Sequence, residues 1–273
     1  MSCPSPTEAP AEDAGVVTYK LKLSYDGTNY HGWQRQPDRR TVQGALEDAI
    51  FKLTRRRVSV SGAGRTDAGV HALEQVAGFR LRPTMGNREF FKALNAVLPA
   101  DIRINSLAKA PVGFHPRRSA RSKVYEYRIL NAPRVDPFRL RYVLHWPHPL
   151  DLRAMKKAAA LFEREADFSA FSSNRELHPV RTVLRSRLRR EGDEIVYSVQ
   201  ADGFLRYMVR TIVGTLLEVG RGKISPEKVE ELFREKARTI HSPTAPAKGL
   251  CLMKVSYGPR TRPMTQASST GLV

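Results

Sequence analysis

Asp67 is the residue whose type and setting best suit chemistry, because it is a carboxylate inside a glycine-rich segment. Gly64 and Gly69 flank it, and backbone without side chains lets a substrate approach closely. An ionised carboxylate held there can act as a nucleophile or a general base. A structural role, as a helix N-cap or an Asx turn, is an equally weighted alternative. A phosphate-binding loop is a weaker one, since the glycine spacing does not fit G-x-G-x-x-G and no Gly-Lys-Ser/Thr follows.

Arg210 is a second candidate, because it lies in the middle of an apolar segment that is predicted as a largely buried helix over 204–218. A buried guanidinium needs a carboxylate partner, since leaving the charge unpaired destabilises the fold. Arg206 lies one turn earlier on the same predicted helix face. Two alternatives stay open: Arg210 pairs with a structural acid such as Glu218, or its charged end reaches the surface.

Tyr125 is a third candidate, on a predicted strand over 124–130 that places it and Tyr127 on one face. We interpret Tyr127 as a core residue, since tyrosines on strands usually pack against the core. The setting of Tyr125 differs, because aromatic rings interleaved with cations can stack a nucleobase while holding its phosphate. The neighbouring cations are Arg117, Arg118, Arg121 and Lys123.

Another basic group falls on a predicted strand over 181–189. Its arginines would share one face of the strand. That face either contacts a row of phosphates or, with equal weight, is a solvated surface. They are Arg181, Arg185, Arg187 and Arg189. The seven histidines show no spacing typical of a metal site, so we assign no metal.

The charge of the chain points to a polyanionic partner. Its 273 residues carry 46 Lys and Arg against 27 Asp and Glu, a formal charge of +19. This excess favours capture of a nucleic acid over a basic surface without a partner. No apolar run is long enough to cross a bilayer, so we expect a soluble protein without a membrane partner. Cys3 and Cys251 lie in different regions, which indicates neither disulfides nor zinc and fits the cytoplasm.

The elements that must position these residues mix adjacent strands with alternating strands and helices. Short strands over 58–60 and 75–81 enter and leave the segment of Asp67, which places that residue on a loop. The other predicted strands cover 19–25, 195–201 and 249–257, and the other helices 41–53, 89–98, 152–162 and 226–236. This order predicts an α+β fold with a layered sheet. Residues 1–17 and 258–273 have the composition of disordered tails.

Ordered motifs over residues 19–257 make the sequence resemble the tRNA pseudouridine synthase A (TruA) family, and the segment of Asp67 matches the family's signature loop. The matching segments are Tyr25 to Thr28, Gly32 to Gln36, Thr41 to Gly44, Gly64 to Ala72, Phe114-His115, Ser122 to Tyr127, Met208 to Arg210, Ile212 to Gly214, Thr244 to Ala247 and Gly249-Leu250. Pro116 departs from the pattern, because an alanine is common there, and both tails are extensions.

The resemblance implies a pseudouridine synthase fold of class α+β. Two similar α/β subdomains, over 18–110 and 111–257, would carry largely antiparallel or mixed sheets flanked by helices, with a cleft between them. It further implies an isomerase without a cofactor that converts uridine to pseudouridine in the anticodon arm of tRNA, at one or more of positions 38, 39 and 40 of the tRNA. The family also implies a homodimer, with the RNA bound across both subunits.

Carried over residue by residue, the resemblance implies three catalytic residues, which are Asp67, Tyr125 and Arg210. The candidate RNA contacts are Arg65, Tyr125, Arg117, Arg118, Arg121, Lys123, Arg206 and Leu250. The base must be flipped out of the RNA before it can react. Asp67 would then attack C1′ or C6 or assist loss of uracil, and the sequence leaves these routes open. A non-catalytic RNA-binding protein or RNA chaperone on the same fold is the alternative function.

Overall fold

The computed structural model describes residues 15–174 and 177–258. Most of the two predicted tails, 1–14 and 259–273, lies outside the described residues. The first strand begins at Val17, two residues before the predicted start, and its alternating side chains are buried on one face.

The first half of the chain forms four strands and two helices around the loop of Asp67. The helix after the first strand is capped at its N-terminus by the side chain of Thr41, which accepts a hydrogen bond from the backbone N–H of Gly44 at 3.2 Å. It ends at Arg55 in the left-handed conformation, φ 58°. In chain order the elements are β1 (Val17–Tyr25), α1 (Val42–Thr54), β2 (Ser61–Gly62), β3 (His71–Leu81), α2 (Asn87–Val97) and β4 (Ile102–Lys109).

The second half adds six strands and three helices. The most apolar helix, α4, packs against α3. The elements are β5 (Ser122–Leu130), β6 (Leu144–His145), α3 (Leu152–Ala160), β7 (Glu165–Asp167), β8 (Val180–Glu191), β9 (Glu194–Ala201), α4 (Met208–Gly220), α5 (Lys228–Glu235) and β10 (Leu250–Ser256).

All ten described strands join one mixed sheet, which confirms the predicted α+β class. Eight of them follow the order β4-β1-β3-β10-β5-β9-β8-β7, and β2 and β6 pair with β3 and β5. Neighbours are antiparallel except for β10 beside β3 and β6 beside β5. The last strand, β10, therefore lies between one strand from each half of the chain. The division into subdomains over 18–110 and 111–257 stays a prediction.

One core cluster joins residues from both halves of the described chain. Tyr19 stacks on Phe79, with ring centroids 5.4 Å apart, and meets the edge of Phe90 on α2. At the other end Phe162 and Phe171 pack together, with ring centroids 5.0 Å apart. Among the described residues, no helix is both long and apolar enough to span a membrane.

The structure corrects two predicted elements close to the site. The helix predicted over 204–218 begins only at Met208, because Tyr207 adopts a left-handed backbone conformation with φ 63°. Arg206 therefore lies in the turn before α4 and not on a helix face shared with Arg210. The strand predicted over 58–60 is displaced to Ser61–Gly62, where it pairs with β3.

Candidate active site

The loop of Asp67 connects β2 to β3 and is held by hydrogen bonds from the segment that follows β1. The backbone N–H of Trp33 donates to the carbonyl of Thr66 at 3.0 Å, and that of Gly69 donates to the carbonyl of Tyr30 at 3.2 Å. Gly69 has a φ of +77°, a conformation that side chains disfavour. The loop is thus fixed on both sides of Asp67.

Close backbone contacts also require glycine in the neighbouring segment. A Cβ at Gly27 would lie 2.0 Å from the carbonyl oxygen of Val70, and one at Gly32 would lie 2.7 Å from that of Thr66. Gly32 also has a φ of +90°. A larger residue at either position would push the two segments apart.

Arg210 on α4 is the ionic partner of Asp67. Its Nη1 donates a hydrogen bond to Oδ2 of Asp67 at 3.2 Å, and its Nε donates to the carbonyl of Ala245 at 2.8 Å. The guanidinium also lies over the ring of Tyr207, 4.7 Å from the centroid. The alternative partner, Glu218, pairs instead with Arg221 at 2.8 Å. These contacts fix the direction in which Arg210 presents its charge.

The carboxylate of Asp67 caps no backbone amide among the described residues, which argues against the structural alternative. Burial raises its pKa above the ordinary value, and the charges of Arg210 and Arg206 oppose that rise without cancelling it. The carboxylate is therefore more basic than an exposed aspartate and is still held by a cation. Perturbed carboxyl groups of this kind are frequent at catalytic centres.

Tyr125 lies on β5 on the same side of the sheet as this pair. Its side chain is 7% exposed, and its ring meets the edge of Phe204 with centroids 5.1 Å apart. Burial raises the pKa of its hydroxyl. Tyr127 is a core residue, as expected. Its hydroxyl donates a hydrogen bond to the carbonyl of Pro246 at 2.7 Å. Of the two tyrosines, only Tyr125 lines the cleft.

A cleft of about 1020 Å³ is lined by Asp67, Arg210 and Tyr125, and both halves of the chain contribute to it. The structure brings together there the three catalytic candidates and the RNA contacts expected around them, namely Asp67, Tyr125, Arg210, Arg65, Arg117, Arg118, Arg121, Lys123, Arg206 and Leu250. Most of the basic side chains are exposed at its rim, whereas Lys123 and Leu250 are buried. The cleft thus combines one partly buried ion pair with strongly positive surroundings.

The predicted arginine track along 181–189 is not continuous. A bulge in β8 between Val183 and Arg185 shifts the register, so Arg181 lines the cleft while the other three point elsewhere. Arg187 pairs with Glu163, and Arg189 lies 3.0 Å from Glu126. Those arginines are therefore already compensated by acids of the protein.

Sequence reasoning missed Phe204 and Tyr207, which pack against Tyr125 and Arg210. From the sequence, Phe204-Leu205-Arg206-Tyr207 was interpreted only as the start of a helix. Aromatic and basic residues side by side next to a predicted terminus are a pattern typical of a binding edge.

The fold and the cleft define the class first: an α+β protein with a carboxylate–arginine pair in a basic cleft suited to a nucleic acid. Residues 23–117 and 158–258 match the family model described as tRNA pseudouridine synthase. Among the curated relatives, tRNA pseudouridine synthase A of Thermodesulfovibrio yellowstonii is 41% identical, covering 89% of this chain and 100% of that protein. The protein of the same name from Pelobacter propionicus is 45% identical, covering 88% of this chain and 99% of that protein.

The chain therefore belongs to the tRNA pseudouridine synthase family, and as a member it is an isomerase. This confirms the family resemblance read from the sequence. Among the described residues, no group of side chains could hold a metal ion.

Proposed function

We propose that this protein converts uridine to pseudouridine in the anticodon arm of tRNA, at one or more of positions 38, 39 and 40 of the tRNA. The observation that carries the proposal is the pair of Asp67 and Arg210, 3.2 Å apart, inside a basic cleft. The reaction breaks the bond between N1 and C1′, turns the uracil and rejoins it through C5. It is an isomerisation and needs no redox change.

Asp67 supplies the carboxylate for this reaction, as nucleophile at C1′ or C6 or as base for loss of uracil. Its raised pKa supports both roles, because a more basic carboxylate bonds to carbon or takes a proton more readily. Arg210 orients the carboxylate and stabilises its ionised form. The hydrogen bond from Arg210 to Ala245 fixes the guanidinium for that task.

Tyr125 stacks on the flipped uracil. Phe204 meets its ring edge-on, which leaves the ring little freedom to turn. Because burial raises the pKa of its hydroxyl, the group stays protonated at neutral pH and can donate a hydrogen bond to the base. It can also relay the proton that leaves C5, by passing its own proton on as it receives that one. Leu250, buried at the edge of the cleft, offers an apolar contact on the same wall.

The exposed arginines bind the phosphates and keep the target nucleotide out of its stack. Flipping a base costs a few kcal/mol, and contacts between cations and phosphates offset that cost. The set comprises Arg117, Arg118, Arg121 and Arg206. Arg65, two residues before Asp67, is exposed and lies close enough to take the place of the flipped base or bind its phosphate.

The protein acts as a homodimer in the cytoplasm. A groove of about 410 Å³ on the sheet near β3 supports self-association, because Leu73 and Tyr142 line it and are 53% and 45% exposed. Exposed apolar patches commonly mark protein interfaces. Sedimentation of the wild type and of Leu73→Glu tests this assignment, and an unchanged mass of the variant would remove the groove from the interface.

The test of the activity is incubation with an unmodified tRNA transcript, followed by mapping of pseudouridine in the anticodon arm. Wild type is expected to form it at one or more of positions 38, 39 and 40, and Asp67→Asn to bind the tRNA without product. A non-catalytic RNA-binding protein or chaperone predicts no product from either form and unchanged function of Asp67→Ala. Undiminished product from Asp67→Asn would also overturn the proposal.

A further inference from the structure

Lys123 is a buried cation that forms no ion pair among the described residues, although the carboxylate of Asp202 in the same cleft acts on its charge from farther away. Its residue is only 8% exposed, yet it lines the cleft that holds Asp67. Within the described part of the chain no carboxylate lies within 4.0 Å of its ammonium, and no hydrogen bond involves it. Burial and the charges of Arg117 and Arg181 lower its pKa, and the charge of Asp202 opposes that shift without cancelling it. Such a buried, unpaired charge is costly unless an anion binds beside it.

The position of Lys123 separates it from the other cations of the cleft. It lies on β5 two residues before Tyr125, so the two side chains share one face of the strand. Both converge on Gly64: a Cβ placed there would lie 3.4 Å from Cε of Lys123 and 3.7 Å from the hydroxyl oxygen of Tyr125. The exposed arginines occupy the rim, where phosphates pass, whereas Lys123 lies at the depth of the ring that stacks on the base.

The reaction creates an anion at that depth. When the bond between N1 and C1′ breaks, its electron pair stays with the uracil and spreads over N1, O2 and O4. The detached base must then turn without leaving. A half-turn about the axis through N3 and C6 exchanges N1 with C5 and O2 with O4. A single fixed cation can therefore meet one carbonyl oxygen before the turn and the other after it.

We propose that the ammonium of Lys123 is the counter-ion of the detached uracil, holding one carbonyl oxygen of the base before its half-turn and the other afterwards. Lys123 keeps its three protons throughout. C5 forms the new bond to C1′ and loses its proton, and N1 ends with a proton, so the overall change is an isomerisation. A preorganised cation in a site that excludes water stabilises such a charge without rearranging. The inference rests on the proposed function.

The test compares Lys123→Met with wild type in single-turnover assays on unmodified tRNA, with tRNA affinity measured in parallel. The matched control is Lys254→Met, which removes the same charge from an exposed position on β10 outside the cleft. We expect the saturating rate of Lys123→Met to fall by about 10² to 10³, the usual loss when one charge-stabilising group is removed. Its Kd for tRNA and the salt dependence of binding should match those of the control.

Two results would overturn the proposal. A weaker Kd with a flatter salt dependence and a normal saturating rate would make Lys123 a phosphate ligand. An unchanged saturating rate and an unchanged Kd of Lys123→Met would mean that Lys123 has only a structural role. If wild type itself forms no pseudouridine, the failure belongs to the proposed function, and the wild-type arm of the assay shows this directly.

A second measurement covers the case in which Lys123→Met folds poorly. Lys123→Arg keeps a positive charge at a similar reach, and Lys123→Gln keeps a polar side chain without the charge. A saturating rate of Lys123→Arg that stays close to wild type while Lys123→Gln is slow supports the proposal. Equal rates of the two variants, both binding tRNA, contradict it.

Discussion

The interaction between Arg210 and Asp67 can be isolated by replacing Arg210 with methionine, which keeps length and removes charge. Two opposite charges 4 Å apart attract by about 4 kcal/mol at an effective dielectric constant of about 20, which corresponds to an upper bound of about three pKa units. The side chains of Arg210 and Asp67 are 15% and 26% exposed, so water screens part of this attraction. We expect the pKa of Asp67 to rise by about one to two units.

The assay is the single-turnover rate of pseudouridine formation between about pH 5 and pH 9. Asp67 acts in its ionised form, so a higher pKa leaves more of it protonated at a given acidic pH. The acidic limb of the profile should therefore move up by about one to two pH units, and activity should recover in part at alkaline pH. Arg221→Met is the matched control, because Arg221 follows the same helix and pairs with Glu218 instead.

A profile for Arg210→Met that is lower than wild type at every pH but keeps the same acidic limb would refute this reasoning. Arg210 would then orient Asp67 without influencing its protonation. A shift of equal size in Arg221→Met would refute it too, because the effect would then come from the net charge of the protein.

Three further predictions follow from the same geometry. Tyr125→Phe should bind tRNA like wild type and turn over more slowly if the hydroxyl acts in proton transfer; equal rates would leave only stacking for this residue. Arg117→Gln should weaken tRNA binding at low salt and reduce the slope of log Kd against log salt by about 0.7 to 0.9, and an unchanged slope would remove Arg117 from the phosphate contacts. Gly62→Ala should destabilise the fold by about 1 to 3 kcal/mol in urea unfolding, because the new Cβ would lie 2.6 Å from the buried ring of Trp33. Gly86→Ala, with no atom within 4 Å of the added Cβ, is its control.

Helices and strands whose apolar residues recur at a regular spacing were predictable from the sequence. The helix expected over 41–53 and the strand expected over 19–25 appear within two residues as α1 and β1. Their apolar spacing and the cap at Thr41 are local signals, and local signals are what a sequence displays. The missed strand β4 has only two fully buried residues, Ile102 and Ile104, so its alternation is too short to stand out.

The errors near the cleft arose where the backbone departs from the regular pattern. Phe204 to Tyr207 continue the apolar run of α4, but the left-handed conformation of Tyr207 starts the helix later. The bulge in β8 likewise reverses the side to which Arg181 points. Neither departure follows from residue type, because packing against the rest of the chain selects the conformation.

The sequence indicated the charged residues of the site and Tyr125, but not Phe204 or Tyr207 and not the geometry that joins them. Asp67 and Arg210 are 143 residues apart, and no periodic pattern relates such distant positions. The need of a buried arginine for an acid indicated that a partner exists, and Glu218 was as open a choice as Asp67. The family resemblance supplied the assignment before the structure gave the contact.

The contacts that hold the pair converge on the segment just before β10. The carbonyl of Ala245 accepts from Arg210, and that of Pro246 accepts from Tyr127. The methyl group of Ala247 lies 3.3 Å from where a Cβ of Gly69 would stand. Because β10 then pairs with β3 on one side and β5 on the other, the last strand of the fold fixes the spacing between the Asp67 loop and the strand of Tyr125. The site therefore cannot reach its geometry before the C-terminal strand is in place, although none of its charged groups comes from that strand.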